Sequence, residues 1–208
     1  MGKIIYLMGK SSSGKDTIYK ILREEYAEKL KTIVPYTTRP IREGETEGVE
    51  YHFTDEEGFQ KLQKEGKVIE VRNYQTIHGL WRYFTVFDES RMSPDADYLM
   101  IGTLESYEMT ARYIAKGKES GHGTLSRFDL LPILLEVEDG LRLERALSRE
   151  RKEKEPKYEE MCRRFLADNK DFSEENIKRA NITRRFSNEN LDTCLDQIRS
   201  YLKEAQIF

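Results

Sequence analysis

Residues 9–17 read Gly-Lys-Ser-Ser-Ser-Gly-Lys-Asp-Thr and follow a short apolar run, Ile-Ile-Tyr-Leu-Met at 4–8. Continuous rather than alternating apolarity marks a strand buried on both faces, as in a parallel sheet covered by helices. After Lys15, the residues Ile18, Ile21, Leu22 and Tyr26 recur at helical spacing, with Lys20, Arg23, Glu24 and Glu28 on other faces. A strand, a glycine-rich turn and a helix in this order, with the G-x-x-x-x-G-K core between them, predict a phosphate loop. Glycine lets the backbone curl so that N–H groups converge on phosphate oxygens, and the following helix adds its positive end. The candidates for holding a polyphosphate are therefore Gly9, Ser11, Ser12, Ser13, Gly14, Lys15, Asp16 and Thr17. A serine-rich turn is the plainer alternative.

Asp16 stands where such loops normally place a Ser or Thr hydroxyl on magnesium. A carboxylate binds the metal but also faces the negative charge of the phosphates at short range. Thr17 offers a hydroxyl for the metal or for a water bound to it, and is the metal candidate. Against these stand a carboxylate that simply favours the helix N-terminus and a threonine facing the core.

The rest of the chain extends the α/β pattern. Residues 98–101 resume a buried strand, 105–116 form a helical stripe ended by Lys116-Gly117-Lys118, and 119–126 form a loop. Residues 130–137 read as a strand with Pro132 near its beginning or at an edge. Between these units, residues 32–86 change character, with glycine turns, short strand-like runs and a helix capped by Asp55, carrying Phe59 and Leu62 and ended by Gly66. Residues 141–170 carry ten basic and seven acidic side chains, with Pro156 between two helical patterns. A last strand at 182–186 and an amphipathic helix through Leu191, Leu195, Ile198 and Leu202 complete the chain. The fold class is α/β with a parallel sheet.

Composition narrows the partners. With 35 Lys and Arg against 38 Asp and Glu, the net charge of -3 disfavours a basic nucleic-acid coat. Two cysteines, Cys162 and Cys194, build neither a disulfide framework nor a metal site, and no stretch approaches the ~18 apolar residues of a membrane span. A cytoplasmic protein without nucleic-acid or membrane partners is expected.

The chain resembles the guanylate kinases. The resemblance runs from the phosphate loop through Tyr36-Thr37-Thr38-Arg39-Pro40, Arg42, Gly44-Glu45 and Gly48-Val49-Glu50-Tyr51-His52-Phe53. It continues into Asp55-Glu56-Glu57-Gly58-Phe59 and Val68-Ile69-Glu70. It implies a three-layer α/β/α P-loop core with a parallel sheet, an inserted mixed α/β acceptor-binding domain and a helical lid. The divisions are core at 1–33, acceptor domain at 34–86, core at 87–140, lid at 141–170 and core at 171–208. ATP is the implied phosphoryl donor, with Mg2+, and a small nucleotide, most readily GMP, the acceptor.

By the same resemblance, Arg39, Arg42 and Tyr51 contact the acceptor phosphate and Glu70 accepts hydrogen bonds from guanine, in keeping with their donor and acceptor chemistry. Arg145, Arg149 and Arg164 look like lid arginines that join Lys15 as catalytic groups, and Arg142, Arg145 and Arg149 share one helical face. Departures fall on the base pocket. Pro35 replaces a serine, His78-Gly79-Leu80 stands for Tyr-Gly-Ser or Tyr-Gly-Thr, and Gly102-Thr103 lies near an Asp-x-Asp strand end. His78 is a phosphate contact or a packed aromatic, and Leu80 offers no hydroxyl. A kinase for another small phosphate ester or nucleotide, and a noncatalytic guanylate-kinase-like binding module, are the competing functions.

Overall fold

The computed structural model describes residues 1–42, 44–76, 79–88, 92–120 and 127–207. Two sheets organise them. The first contains β1 (Gly2–Gly9), β2 (Leu30–Thr32), β7 (Asp97–Gly102), β8 (Phe128–Glu136) and β9 (Arg185–Ser187) in the order β2-β7-β1-β8-β9. Every neighbouring pair is parallel. β1 is central and alternates its side chains between two apolar clusters. Ile4, Tyr6 and Met8 pack on one face with Tyr107 and Ile114 of α3 (Leu104–Ser120). Ile5 and Leu7 pack on the other with Ile18 and Leu22 of α1 (Lys15–Glu25) and with Leu195, Ile198 and Leu202 of α7 (Leu191–Glu204). Period two in the strand thus generates three layers.

The second sheet is built from β3 (Tyr36–Thr37), β4 (His52–Phe53), β5 (Val68–Thr76) and β6 (Gly79–Val86) in the order β4-β3-β6-β5. One face carries Phe84, whose ring stacks on Tyr36 and meets Phe59 of α2 (Glu56–Lys64) edge-on at 4.9 Å. Asp55 caps α2 by accepting the Gly58 N–H at 2.8 Å, as its sequence predicts. The alternate positions, Glu70, Arg72 and Tyr74 of β5 with Tyr83 and Thr85 of β6, form the opposite face. Irregular pairing between Val68 and Glu70 marks a bulge that lets Ile69 enter the core while Glu70 turns to the other side.

The charged segment folds as α4 (Asp139–Glu150) and α5 (Tyr158–Asp171), followed by the short α6 (Glu174–Arg179). Buried Glu150 accepts the Lys157 N–H and so fixes the intervening turn.

Two local expectations change. Gly117 does not end α3, which runs on to Ser120. An interior glycine costs roughly 1 kcal/mol against alanine, and α3 offsets it by packing Tyr107 and Ile114 on the sheet and by a Lys118–Asp129 ion pair at 2.9 Å. Pro132 meets the edge alternative: it sits in the middle of β8, opposite Tyr6, rather than near its beginning. β9 pairs only with Leu134, Leu135 and Glu136, so the other side of β8 at Pro132 behaves as an edge and no ladder donor is lost. The loop expected at 119–126 gives up its first two positions to α3, and 121–126 lie outside the described residues. Among the described residues, no helix is long and apolar enough to cross a membrane.

Candidate active site

The phosphate loop leaves the C-terminal end of β1, where a doubly covered parallel sheet opens its ligand crevice. Ser12 has φ 63° and Gly14 φ 82°, and these left-handed turns curl the loop toward α1. At Gly14 a Cβ would also collide with the Asn188 amide. Asn188 is itself buried and donates Nδ2 to the Ser13 carbonyl at 2.7 Å, which backs the loop from behind. Gly14 supplies no side-chain cap to α1, so the first-turn N–H groups have no intrahelical acceptors. The Ser12 and Ser13 hydroxyls are buried without hydrogen-bond partners. Uncapped amides and orphaned hydroxyls around a curled loop fit a bound polyphosphate. Lys15 Nζ lies 3.5 Å from Asp16, whose side chain is 76% exposed. Thr17 is exposed as well, which leaves it open to a hydrated cation. Magnesium on a nucleotide keeps water and phosphate ligands and needs few from protein, so Asp16 and Thr17 form a compatible donor set.

Ser11 is used differently. Its N–H donates to Asp168 of α5 at 2.7 Å, and its carbonyl accepts Arg142 Nε at 3.1 Å. Arg142, 1% exposed, also reaches Asp139 and Asp168 and stacks over Phe165 at 4.6 Å. It is a strap between hairpin and loop and does not join an open face with Arg145 and Arg149. Arg145 donates to the carbonyls of Asn188 and Glu189, Arg149 is exposed, and the buried Arg164 Nε pairs with Glu160 Oε1 at 3.6 Å without forming a hydrogen bond.

Across the cleft, Arg39 is 3% exposed and forks onto Glu45, with bonds of 2.7 and 2.5 Å. Its guanidinium lies over the rings of Tyr51 and Phe53 at 5.1 and 5.4 Å, and its Nε is buried with no partner. Glu45 also accepts the Arg42 N–H at 2.9 Å. The hydrogen bonds from Arg39 hold the Glu45 carboxyl below the usual carboxylate range despite burial. Arg42 is exposed and acts electrostatically on Glu160 of α5. Burial pushes the Tyr51 phenol up to about 12, with Tyr83 adding to the rise, Arg72 and Arg39 opposing it, and Asp16 contributing from the phosphate loop. Tyr51 is thus a neutral O–H donor at physiological pH, within the electrostatic reach of both walls of the cleft.

Glu70 is fully buried, with Thr85 donating to Oε1 at 2.6 Å and Arg72 to Oε2 at 3.1 Å. His78 lies outside the described residues. Leu80, read from sequence as a departure in the base pocket, pairs with Gln75 close to the β5–β6 turn and is 42% exposed. Tyr83 and Thr85, further along β6, share the face that carries Glu70. Tyr83 meets Tyr51 edge-on at 5.6 Å and Thr85 stands opposite Glu70. Sequence reasoning named Glu45 and Arg142 without these contacts, and it missed Arg72, Tyr83, Thr85 and Asn188, for which the Tyr83-Phe84-Thr85 run is the available signal.

The guanylate kinase family model matches residues 1–80. Two curated guanylate kinases match locally: that of Frankia casuarinae is 48% identical over 64 residues, and that of Schizosaccharomyces pombe 43% over 68. These alignments span about a third of the relatives' length, 34% of each. The guanylate kinase of Mycoplasma mobile is 31% identical over 203 residues, covering 97% of this chain and 92% of that relative. The chain belongs to the guanylate kinase family. A crystal structure of guanylate kinase from Anaplasma phagocytophilum shares the fold, with TM-score 0.60 at 21% identity, covering 100% of this chain and 87% of that one.

Proposed function

We propose that this protein reversibly transfers the γ-phosphoryl group of ATP to a nucleoside monophosphate, with GMP as acceptor. The observation that carries the reading is the facing of two phosphate-compatible walls. One is the uncapped loop with Lys15. The other is Arg39, Tyr51 and Tyr83, and an ion pair at 3.7 Å between Lys20 of α1 and Glu50, beside Tyr51, ties the two together.

Lys15 and the loop amides hold and orient the donor. Magnesium, held beside Asp16 and Thr17, would neutralise charge on the phosphates. Arg39 offers its unpartnered Nε, Arg42 its exposed guanidinium, and Tyr51 and Tyr83 their hydroxyls to the acceptor phosphate. The acceptor oxygen is already anionic, so orientation and charge stabilisation carry the catalysis and no base is needed. Arg149 and Arg164 supply positive charge from the lid at 141–170, while Arg145 steadies the Asn188 segment behind the loop. Closure of the lid and of the acceptor unit at 34–86 excludes water and suppresses hydrolysis.

One observation favours a second reading, another small phosphate ester as acceptor: Glu70 is already satisfied by Arg72 and Thr85. A coupled assay with ATP across GMP, AMP, UMP, CMP and sugar phosphates separates the two. GMP should give the highest kcat/KM. A preference for a sugar phosphate would overturn the reading, and ATP binding without transfer to any acceptor would favour a binding module.

A further inference from the structure

Glu70 and Arg72 stand two residues apart on β5 and share its cleft face. Arg72 grips the carboxylate from one side, through Nε at 3.1 Å and Nη2 at 3.4 Å, while Thr85 closes the other side at 2.6 Å. The Glu70 side chain is 0% exposed and that of Arg72 is 10% exposed. Of the two side chains, only that of Arg72 keeps surface open to a ligand. Nη1 of Arg72 reaches Thr103 Oγ1 only at 3.5 Å, a long contact that leaves the nitrogen with donor capacity. Gly102 has no room for a side chain, because a Cβ would collide with the Tyr6 hydroxyl and lie 2.7 Å from Ser106 Oγ. No acidic group at the end of β7 therefore competes with Glu70 for Arg72.

We propose that Arg72 is the base-reading side chain of the acceptor site, donating to guanine O6 and N7, and that Glu70 is a positioning residue that aims it. The inference rests on the guanine-nucleotide reading above. A planar guanidinium matches the two adjacent acceptors on that edge of guanine, whereas adenine puts an amino donor in place of O6. Selection of guanine over adenine then needs no direct contact between Glu70 and the ring N1–H and amino group.

The test compares GMP, IMP, 7-deaza-GMP and AMP on the full-length protein, by titration calorimetry and by kcat/KM with ATP. IMP keeps O6 and N7 and lacks only the amino group, so it should fall within about threefold of GMP, while 7-deaza-GMP and AMP weaken on the order of ten- to a hundredfold. Arg72→Met should collapse the GMP/AMP ratio and Arg72→Lys restore part of it. Glu70→Gln should raise KM for GMP and IMP together, with kcat less affected. The wild-type series needs no variant, so a substitution that fails to fold leaves the test intact. GMP favoured over IMP by tenfold or more, with 7-deaza-GMP unimpaired, would overturn the inference and return base reading to Glu70. Failure of every purine monophosphate, alongside turnover of a different acceptor, would instead overturn the guanine reading on which it rests.

Discussion

Arg142 Nε donates to the Ser11 carbonyl at 3.1 Å, so a helix of the charged hairpin holds the phosphate loop directly. The same guanidinium reaches Asp139 and Asp168, and Asp168 accepts the Ser11 N–H. Removing it leaves the Ser11 carbonyl without its partner and reduces Asp139 to its Lys10 contact and Asp168 to the Ser11 N–H. Arg142→Met should lower stability by about 3 kcal/mol, the lower end for broken buried ion pairs because Asp139 is half exposed. It should also weaken ATP binding. Urea unfolding and ATP titration of the same variant check both effects. A stability loss with unchanged ATP affinity would show that the strap does not shape the loop.

Tyr83 lies between Tyr51 and Tyr74, with ring centroids 5.6 and 5.5 Å away, on the face opposite the packed Phe84. Tyr83→Phe keeps those ring contacts and removes one hydroxyl. The KM for GMP should rise about tenfold, the cost of one lost ligand hydrogen bond, with ATP affinity unchanged. Arg42→Ala should act in the same direction, since its guanidinium is exposed in the open cleft. Equal losses for both ligands would place these residues outside the acceptor site.

The parallel core was legible in the sequence because β1 is an unbroken apolar run and α1 an amphipathic helix joined by a glycine loop, each a local signal. The strand–glycine turn–helix of the loop was legible for the same reason, whereas Arg39, Arg42 and Tyr51 were reached through the family resemblance and not through spacing. The face around Glu70 was not legible. A bulge beside Glu70 and the register of β5 against β6 decide that Arg72, Tyr83 and Thr85 share its face, and register is a tertiary property. Arg142 shows the complementary limit. Its spacing matches Arg145 and Arg149, but the approach of the phosphate loop selects which arginine is buried.

Glu45 gives the acid response a specific origin. Its carboxyl is held below the range of the unfolded chain, chiefly by Arg39, so the folded state favours the ionised form. The stabilisation is fully present above the unfolded value of about 4.3 and is lost as pH falls through the lower folded value. At pH 7, Glu45→Gln should be less stable than wild type by about 1 to 3 kcal/mol, with the gap closing as pH drops below about 4. Urea midpoints at several pH values measure this. A gap that stays constant with pH would show that the Arg39–Glu45 pair does not couple to protonation.

Phosphoryl transfer from ATP to GMP, as proposed above, takes place at the loop that carries Lys15. Lys15 has Asp16 as its ion-pair partner at 3.5 Å and takes no part in either apolar cluster, so Lys15→Ala should leave stability within about 0.5 kcal/mol of wild type. The most direct measurement is the initial rate of GDP formation from ATP and GMP in wild type and Lys15→Ala, with circular dichroism on the same samples. Wild type should produce GDP and ADP in equal amounts, and the variant should lose about a hundredfold or more of the rate with an unchanged fold. Equal rates in the two proteins, or no GDP from a wild-type protein that binds both nucleotides, would contradict the account.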